Sequence, residues 1–197
     1  LEKTLDGRGK GDSFSVEVAT KERARRPSLG ALGLAPVVSA AALTMEATTR
    51  ELLEELDRAA PSGESPDDRV RRRVTALIDR ATAASRAGHH PLAVTALDLA
   101  LEEEPDSAVS QKLVHRHRDL ILDVYQAYIG DLGAVPALTM PIHELSRERL
   151  DNRAAFLLSR IDGALSFEEL LDVAGMTRLE TYRHLCRLLL RGIVEVR

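Results

Sequence analysis

Hydrophobic residues recur at helical spacing over most of the chain, and charged residues fill the positions between them. Leu52, Leu53 and Leu56 form an apolar stripe opposite several acidic residues, which predicts an amphipathic helix over residues 44–60. The six residues that follow include two prolines, two serines and a glycine, a composition typical of a linker. We expect the compact part of the chain to begin at Pro66.

Residues 66–130 predict a region of three helices. The first begins after Ser65, whose side chain is placed to cap it, with proline and acidic residues in its first turn. Gly88 ends this helix, and Pro105 stops the second. The apolar spacing then predicts one long third helix over residues 107–129.

Residues 131–150 are typical of a connector, in which two prolines bracket a predicted strand over 138–140. Residues 151–197 predict a small module of three short helices and a terminal strand, which is the order of a winged-helix-like fold. The predicted helix starts are Asp151 and two capping boxes, Ser166 with Glu169 and Thr177 with Glu180.

The composition favours a mainly α fold. Leucine (31) and alanine (26) dominate, while there are only 3 Phe, 3 Tyr and no Trp, and strands favour aromatic and β-branched residues. The single cysteine, Cys186, excludes a disulfide-stapled secreted domain. No run approaches the roughly 20 apolar residues that a membrane span needs. We therefore expect a cytoplasmic protein.

Residues 1–43 are irregular, and we interpret them as a flexible or partner-docking segment. Basic residues at 21–26 precede an apolar stretch at 29–43, a combination that also occurs in export signals and interfacial anchors. Two glycines and a proline interrupt the apolar stretch, which favours a linker or a docking segment. The chain begins at Leu1, and we interpret it as an excised or processed fragment.

Small residues recur where the first two helices of 66–130 would cross closely. The residues are Ala81, Ala93 and Ala100, with Gly88 at the turn, Leu97 between the later alanines and Pro105 after the second helix. On these residues, the segment 74–107 resembles one tetratricopeptide repeat, a helix–turn–helix unit. The resemblance implies protein–protein interaction through a helical groove. The alternative is a plain helical hairpin with alanines at a close crossing.

The first helix of this unit departs from the family pattern. Leu77 replaces the usual aromatic residue, and Arg80 and Ala84 stand where large apolar residues are expected. Because one hairpin cannot bury its own faces, a neighbouring helix must complete it. The predicted partner-binding residues are Arg71, Arg72, Leu77, Arg80 and Ala84.

A second resemblance covers residues 119–197. It rests on Tyr-Ile-Gly-Asp-Leu at 128–132 with Val135-Pro136, Asp151 with Ala-Ala-Phe-Leu-Leu-Ser-Arg-Ile-Asp-Gly at 154–163, Glu-Leu-Leu-Asp-Val at 169–173, and Gly175-Met176. These residues are similar to a C-terminal module of cytoplasmic regulatory proteins of myxobacteria and related deltaproteobacteria. The resemblance implies a non-catalytic signalling or scaffold module, and it carries over no site residues.

A DNA-binding regulator is the alternative function. The last predicted helix, 178–191, would then enter the major groove. The residues presented would be Arg178, Arg183, Arg187 and Arg191. Against this, 151–197 contain seven basic and seven acidic residues, whereas phosphate neutralisation supplies most of the affinity for DNA. The formal charge of the whole chain, −4, gives no general attraction to nucleic acid or anionic membrane.

The six histidines and Cys186 show no spacing typical of a metal site or of a catalytic nucleophile, and we interpret Cys186 as a small core residue. We therefore predict a non-enzymatic adaptor or scaffold in a bacterial regulatory or motility assembly, without cofactor or metal. Its partners would be other proteins, and homo-oligomerisation stays open.

Overall fold

The computed structural model describes residues 40–145 and 150–196, which form nine helices and one small sheet. The helices are α1 (Ala40–Arg58), α2 (Pro66–Arg86), α3 (His90–Glu102), α4 (Ala108–Arg116), α5 (Arg118–Ile129), α6 (Ile142–Leu145), α7 (Asn152–Leu158), α8 (Phe167–Val173) and α9 (Arg178–Leu190); the strands are β1 (Pro136–Leu138) and β2 (Val194–Val196). The expectation of a mainly α fold is confirmed. Most of the predicted N-terminal segment 1–43, up to residue 39, lies outside the described residues.

Several helices begin where local sequence signals place them. Ser65 accepts a hydrogen bond from the backbone N–H of Asp68 at 3.2 Å, at the start of α2. Both predicted capping boxes form, at Ser166 for α8 and at Thr177 for α9. These contacts join residues three positions apart, so the chain satisfies its unpaired N-terminal N–H groups without help from the tertiary fold.

The prediction of one long helix over 107–129 is wrong. The chain leaves helical geometry at His117 (φ −102°, ψ 15°), which separates α4 from α5. The reason lies in the neighbours of the two helices, since α4 packs mainly on α2, whereas α5 packs on α9 and α3 as well as on α2. A straight helix has one apolar stripe, and the break lets each half turn its own stripe to a different surface.

Helices α2 and α3 form an antiparallel hairpin with the most extensive packing in the described chain. Ala81, Ala93 and Ala100 have no exposed surface, as expected of small residues at a close crossing. Gly88 makes the turn with φ +78°, a conformation that costs little only for glycine. Helix α1 packs against α3 beside this hairpin.

The sheet joins the predicted connector to the end of the chain. β1 pairs with β2 in antiparallel register, with Ala137 opposite Glu195. β1 begins two residues earlier than the predicted strand, and Thr139 instead donates its backbone N–H and its hydroxyl to β2-side carbonyls, at 3.1 Å to Ile193 and 2.7 Å to Gly192. The connector is therefore anchored to the C-terminal end of the chain at this point.

One hydrophobic core runs through the described residues, from Leu52 on α1 to Val194 on β2. Its largest fully buried side chains include Tyr125, Tyr182 and Phe167. Helix α9 packs against α3, α5, α7, α8 and β2, so it carries the core from the N-terminal helices to the C-terminal ones. None of the described helices has the length and apolar character needed to cross a bilayer.

A buried carboxylate on α3 connects three helices. Asp98, 8% exposed, accepts hydrogen bonds from the Tyr125 hydroxyl on α5 (3.3 Å) and from Arg183 Nε on α9 (3.0 Å). Arg187 Nε lies 3.3 Å from the other oxygen of the same carboxylate. Glu102, one helical turn further along α3, pairs with both guanidinium groups at 2.8 and 3.4 Å. We call these five residues the Asp98 network.

Burial sets the protonation chemistry of this network. It raises the pKa of the Asp98 carboxyl, and the positive charges of Arg187 and Arg183 offset only part of that effect. Burial also raises the pKa of Tyr125 well above its usual value, and the neighbouring Asp98 raises it further. The phenol therefore remains a hydrogen-bond donor to the carboxylate at every physiological pH.

We predict that Asp98→Ala lowers the free energy of unfolding by about 2–4 kcal/mol, because it leaves two partly buried arginines and the buried Tyr125 hydroxyl without their central acceptor. The matched control is Glu102→Ala, which removes a half-exposed carboxylate from the same arginines and should cost less than about 1 kcal/mol. Urea denaturation followed by circular dichroism measures both. Equal losses for the two variants would contradict the central role of Asp98.

Candidate functional site

A groove with an aliphatic floor lies between α1 and α2. Its volume is about 440 Å³. It is lined by Leu52, Glu55, Leu56, Ala59, Ala76, Leu77, Asp79, Arg80 and Ala83, and we call it the α1–α2 groove. Its floor is lined by Leu52 and Leu56, four residues apart on one side of α1, and by Leu77 of α2. Charged residues of both signs form its rim.

Arginines of α2 hold α1 in place beside this groove. Arg72 makes a paired hydrogen bond to the Glu64 carboxylate (2.8 and 3.0 Å) and also donates to the backbone carbonyl of Leu56 (2.9 Å). Arg73 Nη1 lies 2.6 Å from Asp57 Oδ1 of α1. The hydrogen bond from Arg72 lowers the pKa of Glu64. Two arginines thus clamp the end of α1 and the linker after it onto α2.

The structure divides the predicted partner-binding residues among different environments. Leu77 and Arg80 line the α1–α2 groove, Leu77 in its floor and Arg80 at its rim. Arg72 is engaged in the clamp on Glu64, and Ala84 is buried. Arg71 is exposed, pairs with Asp68 at 3.2 Å, and faces a second groove. The five residues do not form one surface.

Helix α4 has an aliphatic groove on each side. The α2–α4 groove, about 420 Å³, is lined by Arg71, Ala108, Val109, Lys112, Leu113 and Arg116. The α4–α9 groove, about 360 Å³, is lined by Gln111, Val114, His115, Arg118, Thr177 and Leu179. In both, aliphatic side chains form the floor. Basic side chains stand at the rim, Arg71, Lys112 and Arg116 in the first groove and His115 and Arg118 in the second. Of these residues, only Arg71 is a predicted partner-binding residue.

Helix α9, the DNA-reading helix of the alternative function, lies inside the fold. Arg183 and Arg187 belong to the Asp98 network. Arg178 is exposed and stands over the Tyr182 ring, 5.7 Å from its centroid. Arg191 is half-buried at the other end of the helix and lines a small polar cavity. Arg183, Arg187 and Arg191 follow one side of α9 at four-residue spacing, but Arg183 and Arg187 are turned to Asp98 and Glu102, and Arg178 lies on a different side.

Sequence reasoning missed Asp98 and Glu102, although a signal was available. Asp98 is the only charged residue between His90 and Leu101 in an otherwise apolar helix. A lone carboxylate on a buried helix is costly unless it is paired, so its position predicts a buried cationic partner. What the sequence could not show is which arginines, 85 and 89 positions away, supply the charge.

The cavity at Arg191 holds a buried histidine. It is small, about 50 Å³, and is lined by Leu150, Asp151, Ala154, His184, Arg187, Leu188 and Arg191. His184 Nδ1 lies 3.7 Å from an Asp151 oxygen. Burial lowers the pKa of His184; Asp151 partly opposes this effect, while the nearby arginines add to it. The folded state therefore favours the neutral imidazole.

Cys186 is a buried core residue, as expected from the sequence. It has no exposed surface, and its thiol lies 3.6 Å from the backbone carbonyl of Tyr125. Burial raises the pKa of this thiol well above its usual value, which keeps it protonated and unreactive at neutral pH. Among the residues that the structure describes, no group of three or more histidine, cysteine, aspartate or glutamate side chains is placed to hold a metal ion.

Comparisons with protein-family models, with curated proteins and with solved structures found no match to this chain. The likeness to a tetratricopeptide repeat and to a regulatory C-terminal module therefore stays a prediction from the sequence.

We predict that stability falls as the pH drops below the usual histidine pKa of 6.5, because the unfolded chain takes up a proton there that folded His184 resists. His184→Gln removes this difference, so the free energy of unfolding of the variant should change less between about pH 7.5 and pH 5.5 than that of the wild type. Urea titrations at the two pH values measure both changes. Equal changes in the two proteins would contradict the prediction.

Proposed function

We propose that this chain is a non-enzymatic adaptor that binds other proteins through grooves between its helices, in the cytoplasm of a bacterium and within a regulatory or motility assembly. In this proposal the α2–α3 hairpin acts as a single tetratricopeptide-like unit, and α7, α8, α9 and β2 form a winged-helix-like module beside it. The assembly and the location rest on the sequence resemblances.

The observation that carries the proposal is the α1–α2 groove. Its floor is made of aliphatic side chains, Leu52, Leu56 and Leu77 among them, and its rim offers carboxylates and a guanidinium. Such a lining is suited to an apolar side chain flanked by polar groups, which is the way a partner protein anchors itself in a helical groove. Leu77 and Arg80, predicted from the sequence as partner-binding residues, both lie here.

Two groups that could take part in catalysis, a thiol and a carboxylate, are buried inside the fold. Their burial supports a binding role over catalysis. The Cys186 thiol is buried with a raised pKa, so it is a poor nucleophile at neutral pH. The Asp98 carboxylate is committed to two arginines and a tyrosine. A catalytic base needs access to a substrate proton, and Asp98 is 8% exposed.

The ion pairs that the arginines of α9 form with α3 disfavour the alternative of a DNA-binding regulator. Arg183 and Arg187 would have to leave Asp98 and Glu102 before they could neutralise phosphates. Removing both partners from a largely buried carboxylate is unfavourable, and phosphate neutralisation supplies most of the non-specific affinity for DNA. The geometry thus favours the adaptor.

We predict that filling the α1–α2 groove abolishes partner binding without unfolding the chain. Ala83→Trp places a large ring in the groove from an exposed position on α2. The matched control, Ala127→Trp, makes the same change at an exposed alanine of α5 that lines none of the three grooves. Quantitative mass spectrometry after affinity capture from the source lysate compares both variants with the wild type, and circular dichroism checks their folding.

If the chain is an adaptor, the wild type and the Ala127→Trp variant capture at least one protein that the Ala83→Trp variant does not. If all three chains capture the same proteins to the same extent, the groove is not the binding site. A mobility-shift titration of the wild type with duplex DNA tests the alternative function. Salt-sensitive, low-micromolar binding that Arg178→Ala weakens would favour DNA and overturn the adaptor as the main function.

A further inference from the structure

The surface around α4 is a concentration of positive charge on an acidic chain. From Ser107 to Arg118 the sequence contains no acidic residue, whereas the net charge of the whole chain is −4. Lys112, His115, Arg116 and Arg118 are all exposed. We call these four side chains, together with the α2–α4 and α4–α9 grooves beside them, the α4 surface.

The lysine and the two arginines of the α4 surface are not neutralised within the part of the chain that the structure describes. Arg72, Arg73, Arg183 and Arg187 each lie within ion-pair distance of a carboxylate. By contrast, Lys112, Arg116 and Arg118 form no ion pair with any described residue. The fold thus pairs the arginines that contact the core and leaves the charge of α4 facing solvent.

The apolar side of α4 is only partly covered. Ser110 is its one buried residue, while Val109, Leu113 and Val114 pack against the core but stay partly exposed. Val109 and Leu113 line one groove beside Lys112 and Arg116, and Val114 lines the other. Across α4, aliphatic groove floors therefore lie beside basic side chains. A ligand that covered these floors would remove further apolar area from water.

We propose that the α4 surface binds an acidic amphipathic segment of a partner protein, which places apolar side chains in the grooves and carboxylates against the cations. The inference rests on the proposed adaptor function and names the chemistry of a partner at a second surface. Charge complementarity selects the acidic character of the segment, and the aliphatic floors select its apolar face.

The same surface fits a nucleic acid or a membrane less well. Phosphates would engage the rim cations and leave the aliphatic floors without a ligand, and the α4 surface offers no aromatic platform for base stacking. A membrane-surface helix needs bulky apolar side chains that project outward. The large hydrophobic residues most exposed in the described chain, Phe156, Val173 and Val196, lie on α7, α8 and β2 instead.

The test uses a synthetic amphipathic peptide of about 15 residues, long enough to form a helix on binding, with leucines at helical spacing and glutamates elsewhere. Isothermal titration calorimetry measures its affinity for the full chain. Two control peptides replace every glutamate by lysine or every leucine by serine. The acidic amphipathic peptide should bind at least about tenfold more tightly than either control.

Variants of the chain locate the binding. Lys112→Glu with Arg116→Glu should weaken the acidic peptide by about tenfold or more, because two attractive contacts become repulsive. The matched control, Arg50→Glu with Arg86→Glu, makes the same charge change at exposed positions that line none of the three grooves. It should keep an affinity within about twofold of the wild type.

Several outcomes would overturn the inference. They are equal binding of the acidic and basic peptides, equal binding of the leucine and serine peptides, tighter binding of duplex DNA or phosphatidylserine vesicles than of the acidic peptide, and equal effects of the two double variants. The Ala83→Trp chain separates this inference from the adaptor function. If Ala83→Trp loses its captured partner while no acidic peptide binds, the adaptor stands and the α4 surface is not its second site.

Discussion

The Asp98 carboxylate is the constraint on which the arrangement of the helices depends. A buried charge is strongly unfavourable unless cations and hydrogen-bond donors surround it, and in the described chain α5 and α9 bring such groups to Asp98. Tyr125, Arg183 and Arg187 must therefore arrive together, which fixes the rotation and the position of α9 against the N-terminal helices. An apolar contact would tolerate a shift of α9 along its axis, because hydrophobic packing has no direction, whereas paired charges specify one register.

This constraint also divides the cations of the chain into two groups with different roles. Arg183 and Arg187 of α9 serve the fold, and Arg72 and Arg73 of α2 fasten α1 and its linker through Glu64 and Asp57. The cations of α4 pair with nothing in the described chain, and they stand over grooves with aliphatic floors. The sequence alone does not show which basic helix pairs its charges inside the fold and which exposes them. This division is the reason why α9, the more obvious candidate for binding an anionic partner, is the weaker one, and why α4 becomes the stronger one.

The proposals for function follow the same division between internal and external groups. The groove beside α1 lies where arginine clamps hold the end of α1 to α2 while α1 packs mainly on α3. The α4 surface is open because most of α4 is exposed or only partly buried, with Ser110 its one buried residue. In both places the chain leaves aliphatic area partly exposed next to fixed charges, and such a combination favours specific protein contacts over general adhesion.

The sequence by itself determined what depends on neighbouring residues: the mainly helical content, the helix starts at Ser65, Ser166 and Thr177, the turn at Gly88, and the buried state of Cys186. Helix capping, helix propensity and hydrophobic periodicity act over a few positions, so they can be recognised in the sequence. Only the tertiary structure decided the break between α4 and α5, the pairing of β1 with β2, and which charged side chains form ion pairs inside the fold. Those outcomes depend on residues up to 89 positions apart, whose proximity results from packing of the whole core and not from any local pattern.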